Sequence, residues 1–374
     1  MKLTDYRSIV IKIGSSLLTD EKGNPRRAWL ENLLLDVAEL KKQKSKNGKP
    51  VEVVIVSSGA VALGRNALGF AHGALRLEEK QAAAACGQPR LMALYRELFE
   101  AHKIHAAQVL LTMEDSEDRR RYLNARTTLR TLLDAGVVPV INENDTVATE
   151  ELRFGDNDRL AARVAQMVSA ELLILLSDID GLYTANPKTD KNAKHIPLVK
   201  SITPEIEAMG GAAISAVGSG GMVTKIAAAK MAFYSGCHTV IMEGSDGSPL
   251  KRLEKGGVHT LFQAQSSPMQ ARKHWIASGL RASGEVTVDS GAAKALKEGK
   301  SLLPAGVKEI KGQFGRGDAV SILDESGREI GRGLVAYAAE DARRIIGHKS
   351  AEIAAILGYE GRDALIHRDD MVVS

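Results

Sequence analysis

Hydrophobic positions along this chain fall into short, β-branched runs separated by longer stretches of helical period. Ser8–Ile13 (SIVIKI) reads as a strand, and Trp29, Leu30, Leu33, Leu34, Val37 and Leu40 then recur at the spacing of one helical face. Val51–Val56 (VEVVIV) predicts a second strand, followed by a glycine-bearing turn and a helix. Further strands are expected at His105–Leu111, Val137–Ile141, Leu172–Leu176 and Thr239–Met242, with helices over Glu114–Asp134 and Asn157–Ser169. The alternation predicts an α/β fold, a three-layer αβα sandwich whose mostly parallel central sheet is covered by helices on both faces. Ligands of such sheets gather beyond the carboxyl ends of the strands.

The pattern changes after about Arg272. From Gly284 the apolar segments shorten to EVTVD, KEI, AVSIL and GLVAYA, with turns rich in Gly, Asp and Pro between them and a last segment at His367–Ser374. Short strands of this kind predict a small β-rich domain. The expected division is an α/β domain over 1–277, a linker at 278–284 (SGLRASG) and a β-rich domain with its tail over 285–374.

Composition adds little to the fold and something to the function. With 44% hydrophobic and 26% charged residues the chain can build an ordinary core, and disorder is not indicated. From Trp275 onward 14 Lys/Arg face 15 Asp/Glu, against 36 and 31 in the rest, so the net charge of +4 arises before Trp275. That excess suits anionic small molecules as readily as nucleic acid. Cys86 and Cys237 stand far apart without a C-x-x-C pair, which excludes a disulfide scaffold and offers no zinc signature. No apolar run approaches the roughly 18 residues of a membrane span. Lys2, Asp5, Arg7 and Lys12 break up the first apolar stretch, so no signal peptide is evident and a cytoplasmic protein without a membrane partner is expected.

Five segments carry candidate chemistry. In Val10-Ile11-Lys12-Ile13-Gly14-Ser15-Ser16 a lysine interrupts a buried strand, which is costly unless its ammonium snorkels out or meets an anion. Val56-Ser57-Ser58-Gly59-Ala60 runs a strand into a small-residue turn and a helix N-terminus, a packing device or an anion site. Ile141-Asn142-Glu143-Asn144-Asp145-Thr146 and Gly155-Asp156-Asn157-Asp158 concentrate polar groups after a strand and before a helix. One Asp or Asn would suffice as a cap, and two such clusters exceed that need. Leu176-Ser177-Asp178-Ile179-Asp180-Gly181 again follows a buried strand. Finally, Gly218-Ser219-Gly220-Gly221-Met222-Val223-Thr224-Lys225 opens a helix. It matches neither a Walker A loop nor G-x-G-x-x-G, yet its glycines, helix start and lysine offer a phosphate similar contacts.

No G-x-S-x-G is present and Cys86 has no evident activating partner, so hydrolase chemistry is poorly served. Phosphoryl transfer is better served, because there catalysis consists mostly of positioning and charge neutralisation. A carboxylate acceptor would be ionised at pH 7 and need no general base.

Taken together, VIKIGSS, VSSGAVALG, AAACGQPRLM, VPVINENDTVAT, FGDNDRLAA, LLSDIDGLYTANP and GSGGMVTK resemble the glutamate 5-kinases, a branch of the amino acid kinase family. The tail, from EVTVD through GHKSAEIAAILGY to IHRDDMV, resembles their C-terminal PUA domain. The resemblance implies ATP-dependent phosphorylation of the L-glutamate γ-carboxylate, the first step of proline biosynthesis. It implies catalytic roles for Lys12, Lys225 and Asp158, and glutamate contacts at Ser58, Asp145 and Asn157. Lys12, Ser177, Asp178 and the loop Ser219, Gly220, Gly221, Met222, Val223, Thr224 and Lys225 are the implied ATP contacts. Val223 stands where some relatives have serine, so backbone and not side chain is expected to meet the nucleotide there. No resident metal site is implied, and Mg²⁺ would arrive with ATP. Proline as inhibitor, a homo-oligomer (dimer or tetramer) and hand-off of the acyl phosphate to the next enzyme are implied likewise. Beyond the resemblance, Asp145 is expected to pair with the substrate's α-ammonium. The competing expectations are a kinase for N-acetylglutamate, aspartate or a nucleoside monophosphate, or an RNA-binding protein acting through the PUA domain. The tail's charge balance speaks against the last.

Overall fold

A computed structural model describes residues 1–70, 73–149, 156–211, 221–278 and 282–373. The chain divides into two compact units, Met1–Pro268 and Met269–Ser374. The strands of the first unit are β1 (Ser8–Ile13), β2 (Glu52–Ser57), β3 (Ala106–Leu111), β4 (Val138–Glu143), β5 (Leu172–Ser177), β6 (Leu182–Tyr183), β7 (His195–Ile196), β8 (Leu198–Val199), β9 (His238–Glu243) and β10 (Thr260–Phe262). Eight of them form one sheet in the order β3-β4-β2-β1-β5-β9-β10-β8, and β6 pairs with β7 separately. Pairing is parallel from β3 to β9; β10 runs antiparallel to β9 and carries β8 beside it.

Strand periodicity sorts the core into two layers. Ile9, Ile11 and Ile13 of β1, Val53 and Ile55 of β2, Leu172, Ile174 and Leu176 of β5, and Val240 and Met242 of β9 share one face. That layer is covered by the helices Arg27–Lys41 and Leu77–Glu100 through Leu30, Leu33, Leu34, Val37, Leu91, Leu98 and Phe99. The alternate residues Val10, Val54, Val56, Leu173, Leu175 and Ile241 face the other layer. There the helices Arg119–Asp134, Asn157–Val168 and Met222–Tyr234 contribute Leu129, Leu160, Val164, Ile226 and Ala229. Because neighbouring side chains point to opposite faces, burial on both sides produces the unbroken apolar runs seen in the sequence.

All six strands expected from the sequence of this unit are present, with ends differing by a residue or two. The four strands at and beyond the antiparallel edge, β6, β7, β8 and β10, were not anticipated. At two or three residues each they are too short to display a period. The single helix expected over Glu114–Asp134 is two helices, Met113–Glu117 and Arg119–Asp134. Asp118 separates them in extended conformation, and its carboxylate caps the second by accepting from the Arg121 N–H at 2.8 Å.

In the second unit β11 (Gly284–Val288), β12 (Val307–Gly312), β13 (Ala319–Leu323), β14 (Glu329–Leu334) and β15 (Met371–Val373) form a sheet ordered β12-β11-β13-β14-β15. Val286, Val288, Val320, Ile322 and Leu365 lie at its core. The strand expected at GLVAYA starts earlier, at Glu329, because Asp324 accepts backbone N–H bonds from Ser326 and Arg328 and turns the chain there. The helix Pro268–Ser278 falls with this unit: Ile276 is buried with Ala319 and Leu334, and Arg272 pairs with Asp370 at 2.7 Å. The boundary by compactness thus precedes the 277 expected from sequence by one helix, and the expected linker 278–284 lies partly outside the described residues.

Candidate active site

Lys12 occupies an inner position of β1, level with Val56 of β2 and Leu175 of β5. Its place in the alternation, two residues from Val10, turns it toward the layer of the helices Asn157–Val168 and Met222–Tyr234. Both helices start near the carboxyl edge of the sheet, and each supplies one charged partner. The Lys12 ammonium lies 2.6 Å from Asp158 Oδ1, and the Lys225 ammonium lies 3.2 Å from Asp158 Oδ2. The Thr224 hydroxyl is within 3.0 Å of the same Oδ2 and 2.8 Å of the Gly221 carbonyl.

Asp158 is fully buried, and Lys12 and Lys225 are 6% and 3% exposed. Burial alone would push the Asp158 carboxyl up, but the Lys12 and Lys225 ammonium groups overcome it and hold the carboxyl below its ordinary range. The three side chains carry one excess positive charge at the N-terminal ends of two helices, where backbone N–H groups and the helix dipole add positive potential. Nearby Asp156 is raised by burial, and by the Asp158 charge, while its side chain caps the helix by accepting from the Arg159 N–H.

A second, uncharged cluster adjoins the first through neighbouring residues of the same helix turn. The Asn157 side-chain N–H groups lie 2.8 Å from Ser58 Oγ, 3.0 Å from the Ser57 carbonyl and 3.0 Å from Asn142 Oδ1. Asn142 in turn donates to Gln88 Oε1 at 2.9 Å. The turn at Ser58 continues through Gly59, whose φ of 99° is the left-handed conformation glycine tolerates best. Asp145 stands half-buried in the turn after β4, three residues beyond Asn142.

Ser177 ends β5 and donates to Asp178 Oδ1 at 3.0 Å, with Ser177 buried and Asp178 exposed. Gly221 precedes the helix Met222–Tyr234, and Val223 packs against Gly210, where a Cβ would come within 3.2 Å of Val223 Cγ2. Ser219, Gly220 and Gly155 lie outside the described residues. The structure therefore brings Lys12, Asp158, Thr224 and Lys225 into one cluster and Ser58 and Asn157 into the adjoining one. Ser177 ends the strand beside that of Lys12, Asp178 follows it, and Asp145 lies in the turn after β4. Sequence reasoning missed Gln88 as a member and named Asn142 only within the INEND cluster, without a role of its own.

A family model described as the amino acid kinase family matches residues 7–243, and one for the PUA domain matches residues 284–357. The chain belongs to the amino acid kinase family. It is 57% identical over 372 residues to a glutamate 5-kinase of Brucella anthropi, covering all of this chain and 97% of that protein. It is 56% identical over the same length to a glutamate 5-kinase of Brucella ovis, with the same coverage. Among solved structures it is similar to a carbamate kinase from Giardia lamblia bound to AMP-PNP, at 16% identity and a TM-score of 0.48, covering 70% of this chain and all of that one. No helix among the described residues is long and apolar enough to cross a membrane.

Proposed function

We propose that this chain transfers the γ-phosphoryl group of ATP to the γ-carboxylate of L-glutamate, giving γ-glutamyl phosphate and ADP. The observation that carries the reading is the buried Asp158 carboxylate tying together two lysines 213 positions apart, beside the amide cluster of Asn157. Full-length similarity to glutamate 5-kinases supports the choice of acceptor.

In this reading a glutamate carboxylate oxygen attacks the γ-phosphorus while the bond to the β–γ bridging oxygen breaks and ADP departs. No proton has to be removed from the nucleophile, so no base is required. Lys12 and Lys225 neutralise charge on the moving phosphoryl group and on the departing diphosphate, and Asp158 fixes both ammonium groups at one separation. Ser177, Asp178 and the residues from Ser219 to Thr224 are assigned to the nucleotide, and Ser58, Asn157 and Asp145 to the amino acid. Magnesium fits this site as an ion carried by the phosphates, where it would offset their charge. Asp158 is already engaged by two lysines, and no group of three or more His, Cys, Asp or Glu side chains is assembled for a metal among the described residues.

By the same reading the protein is cytoplasmic, homo-oligomeric, inhibited by proline at a site overlapping that of glutamate, and passes a labile acyl phosphate to the next enzyme of proline synthesis. Catalysis is assigned to the first unit. The test is ADP formation with glutamate, N-acetylglutamate, aspartate and UMP as acceptors, with and without proline, and with hydroxylamine to trap the acyl phosphate. Glutamate-dependent ADP and hydroxamate, suppressed by proline, are expected; turnover only with another acceptor would refute the assignment.

A further inference from the structure

The helix Leu77–Glu100 sends three polar side chains to the acceptor half of the site, at a spacing of seven residues. Gln81 donates to the Ala148 carbonyl in the loop after β4 at 3.1 Å, Gln88 accepts from Asn142 at the end of β4, and the Tyr95 hydroxyl is 2.9 Å from Ser57 Oγ at the end of β2. Seven residues are nearly two helical turns, so the three form one stripe on one face. The helix is itself held close to the turn it serves. A Cβ on Gly87 would come within 1.8 Å of the Ala60 carbonyl, and one on Gly64 within 1.7 Å of the Ala83 carbonyl. The helix Ala60–Leu68 that starts after Ser58-Gly59 is thus in backbone contact with Leu77–Glu100.

Within the stripe, Gln88 is the far end of a chain of amides whose near end, Asn157, donates to the Ser57 carbonyl, a group that can only accept. An amide offers a donor end and an acceptor end, and in a chain of amides the choice at one end propagates to the other. Gln88 presents its oxygen to the Asn142 N–H, so Asn142 turns its own oxygen to Asn157. Asn157 then directs its N–H groups into protein acceptors, and its Oδ1 accepts nothing among the described residues. Ser58 Oγ accepts from Asn157, which leaves its proton for a bond to a ligand. An acceptor and a donor not used by the described residues, side by side, match the ammonium and carboxylate of an α-amino acid.

We propose that Gln88 is a positioning residue that holds the Asn142 oxygen on Asn157, so that Asn142 and the Ser57 carbonyl together keep the Asn157 carbonyl oxygen for the acceptor and make the site selective for a substrate with a free α-ammonium group. The inference rests on the reading of this site as a glutamate kinase. It is tested by comparing glutamate with glutarate, which has the same two carboxylates and no amine, in wild type, Gln88→Met and Gln88→Glu. Methionine fills the space without an acceptor, whereas glutamate at position 88 still accepts from Asn142. In Gln88→Met the KM for glutamate rises about tenfold, the ATP KM stays within about twofold, and the glutamate-to-glutarate ratio of kcat/KM falls about tenfold, the size of one hydrogen bond to a charged group. Gln88→Glu restores both values to within about twofold. An unchanged ratio in Gln88→Met, or equal losses for ATP and glutamate in both variants, overturns the proposal. Should Gln88→Met fail to fold, Gln88→Glu decides alone, since a tenfold fall in its ratio contradicts a polarity role. Wild-type protein that uses neither acid would instead overturn the assigned reaction.

Discussion

The two halves of the candidate site are built from opposite materials. At the phosphoryl end two ammonium groups share one buried carboxylate, and the geometry is held by charge. At the acceptor end three neutral amides and three hydroxyls make hydrogen bonds, and the geometry is held by donor–acceptor polarity. A phosphoryl group in transfer has no fixed hydrogen-bond pattern to read, only spreading negative charge, so point charges suit it. Glutamate must be told from other carboxylates, and a directional set of amides does that better than a field. Removing a group from the first half should therefore act on turnover, and removing one from the second on acceptor affinity and choice.

The largest effects belong to the charged half. Lys225→Ala lowers kcat by roughly 10²-fold or more while the protein stays folded and the glutamate KM changes little, as expected for lost transition-state stabilisation. Near-normal turnover would remove Lys225 from the mechanism. Asp158→Asn also costs turnover, and it costs stability on the order of 3–5 kcal/mol because two buried ammonium groups lose their counter-charge. The Asp158 carboxyl lies below its ordinary value in the folded chain, so its stabilisation is complete above the unfolded value of about 4 and disappears as pH falls through the folded one. The difference in Tm between wild type and Asp158→Asn is accordingly constant from about pH 8 to pH 5 and shrinks only below about pH 4. A difference that already declines near neutrality would contradict the ion-pair account.

Effects in the amide half are smaller and of another kind. Asn157→Ala raises the glutamate KM about tenfold or more through a lost contact to a charged substrate, with the ATP KM nearly unchanged. Parallel rises for both substrates would erase the proposed division of the site. Tyr95→Phe removes one of the two partners of Ser57 Oγ; denaturant unfolding should show a loss of about 1 kcal/mol, and kinetics a glutamate KM shift of a few-fold at most. Smallest of all is deletion of everything after Pro268, which leaves both halves of the site intact and should leave glutamate-dependent ADP formation within a few-fold of the whole chain. Complete inactivity of that folded fragment would assign part of the site to the second unit.

The charged half was more legible in the sequence than the neutral one. A lysine inside SIVIKI and another behind GSGG contradict their local surroundings, and such contradictions are visible without a fold. That Asp158 joins them was available only by resemblance, since nothing local sets the distance between residues 12, 158 and 225. The period-2 alternation does place Lys12 on the same face as the helix of Asp158, once the strand register is known. Gln88 had no comparable signal. A glutamine in a long, alanine-rich helix looks like a solvated residue, and its role follows from a helix packed by Gly64 and Gly87 against the Ser58 turn. The antiparallel edge of the sheet escaped for the simpler reason that its strands are too short to carry a pattern.

The most direct test of the divided site is a crystal structure with glutamate and a non-hydrolysable ATP analogue bound together. The Lys12 and Lys225 ammonium groups should both meet the triphosphate, with Asp158 between them and Asn157 Oδ1 on the amino acid's ammonium. Ammonium groups engaged on separate faces of the molecule, or an amino acid bound away from Asn157, would contradict it.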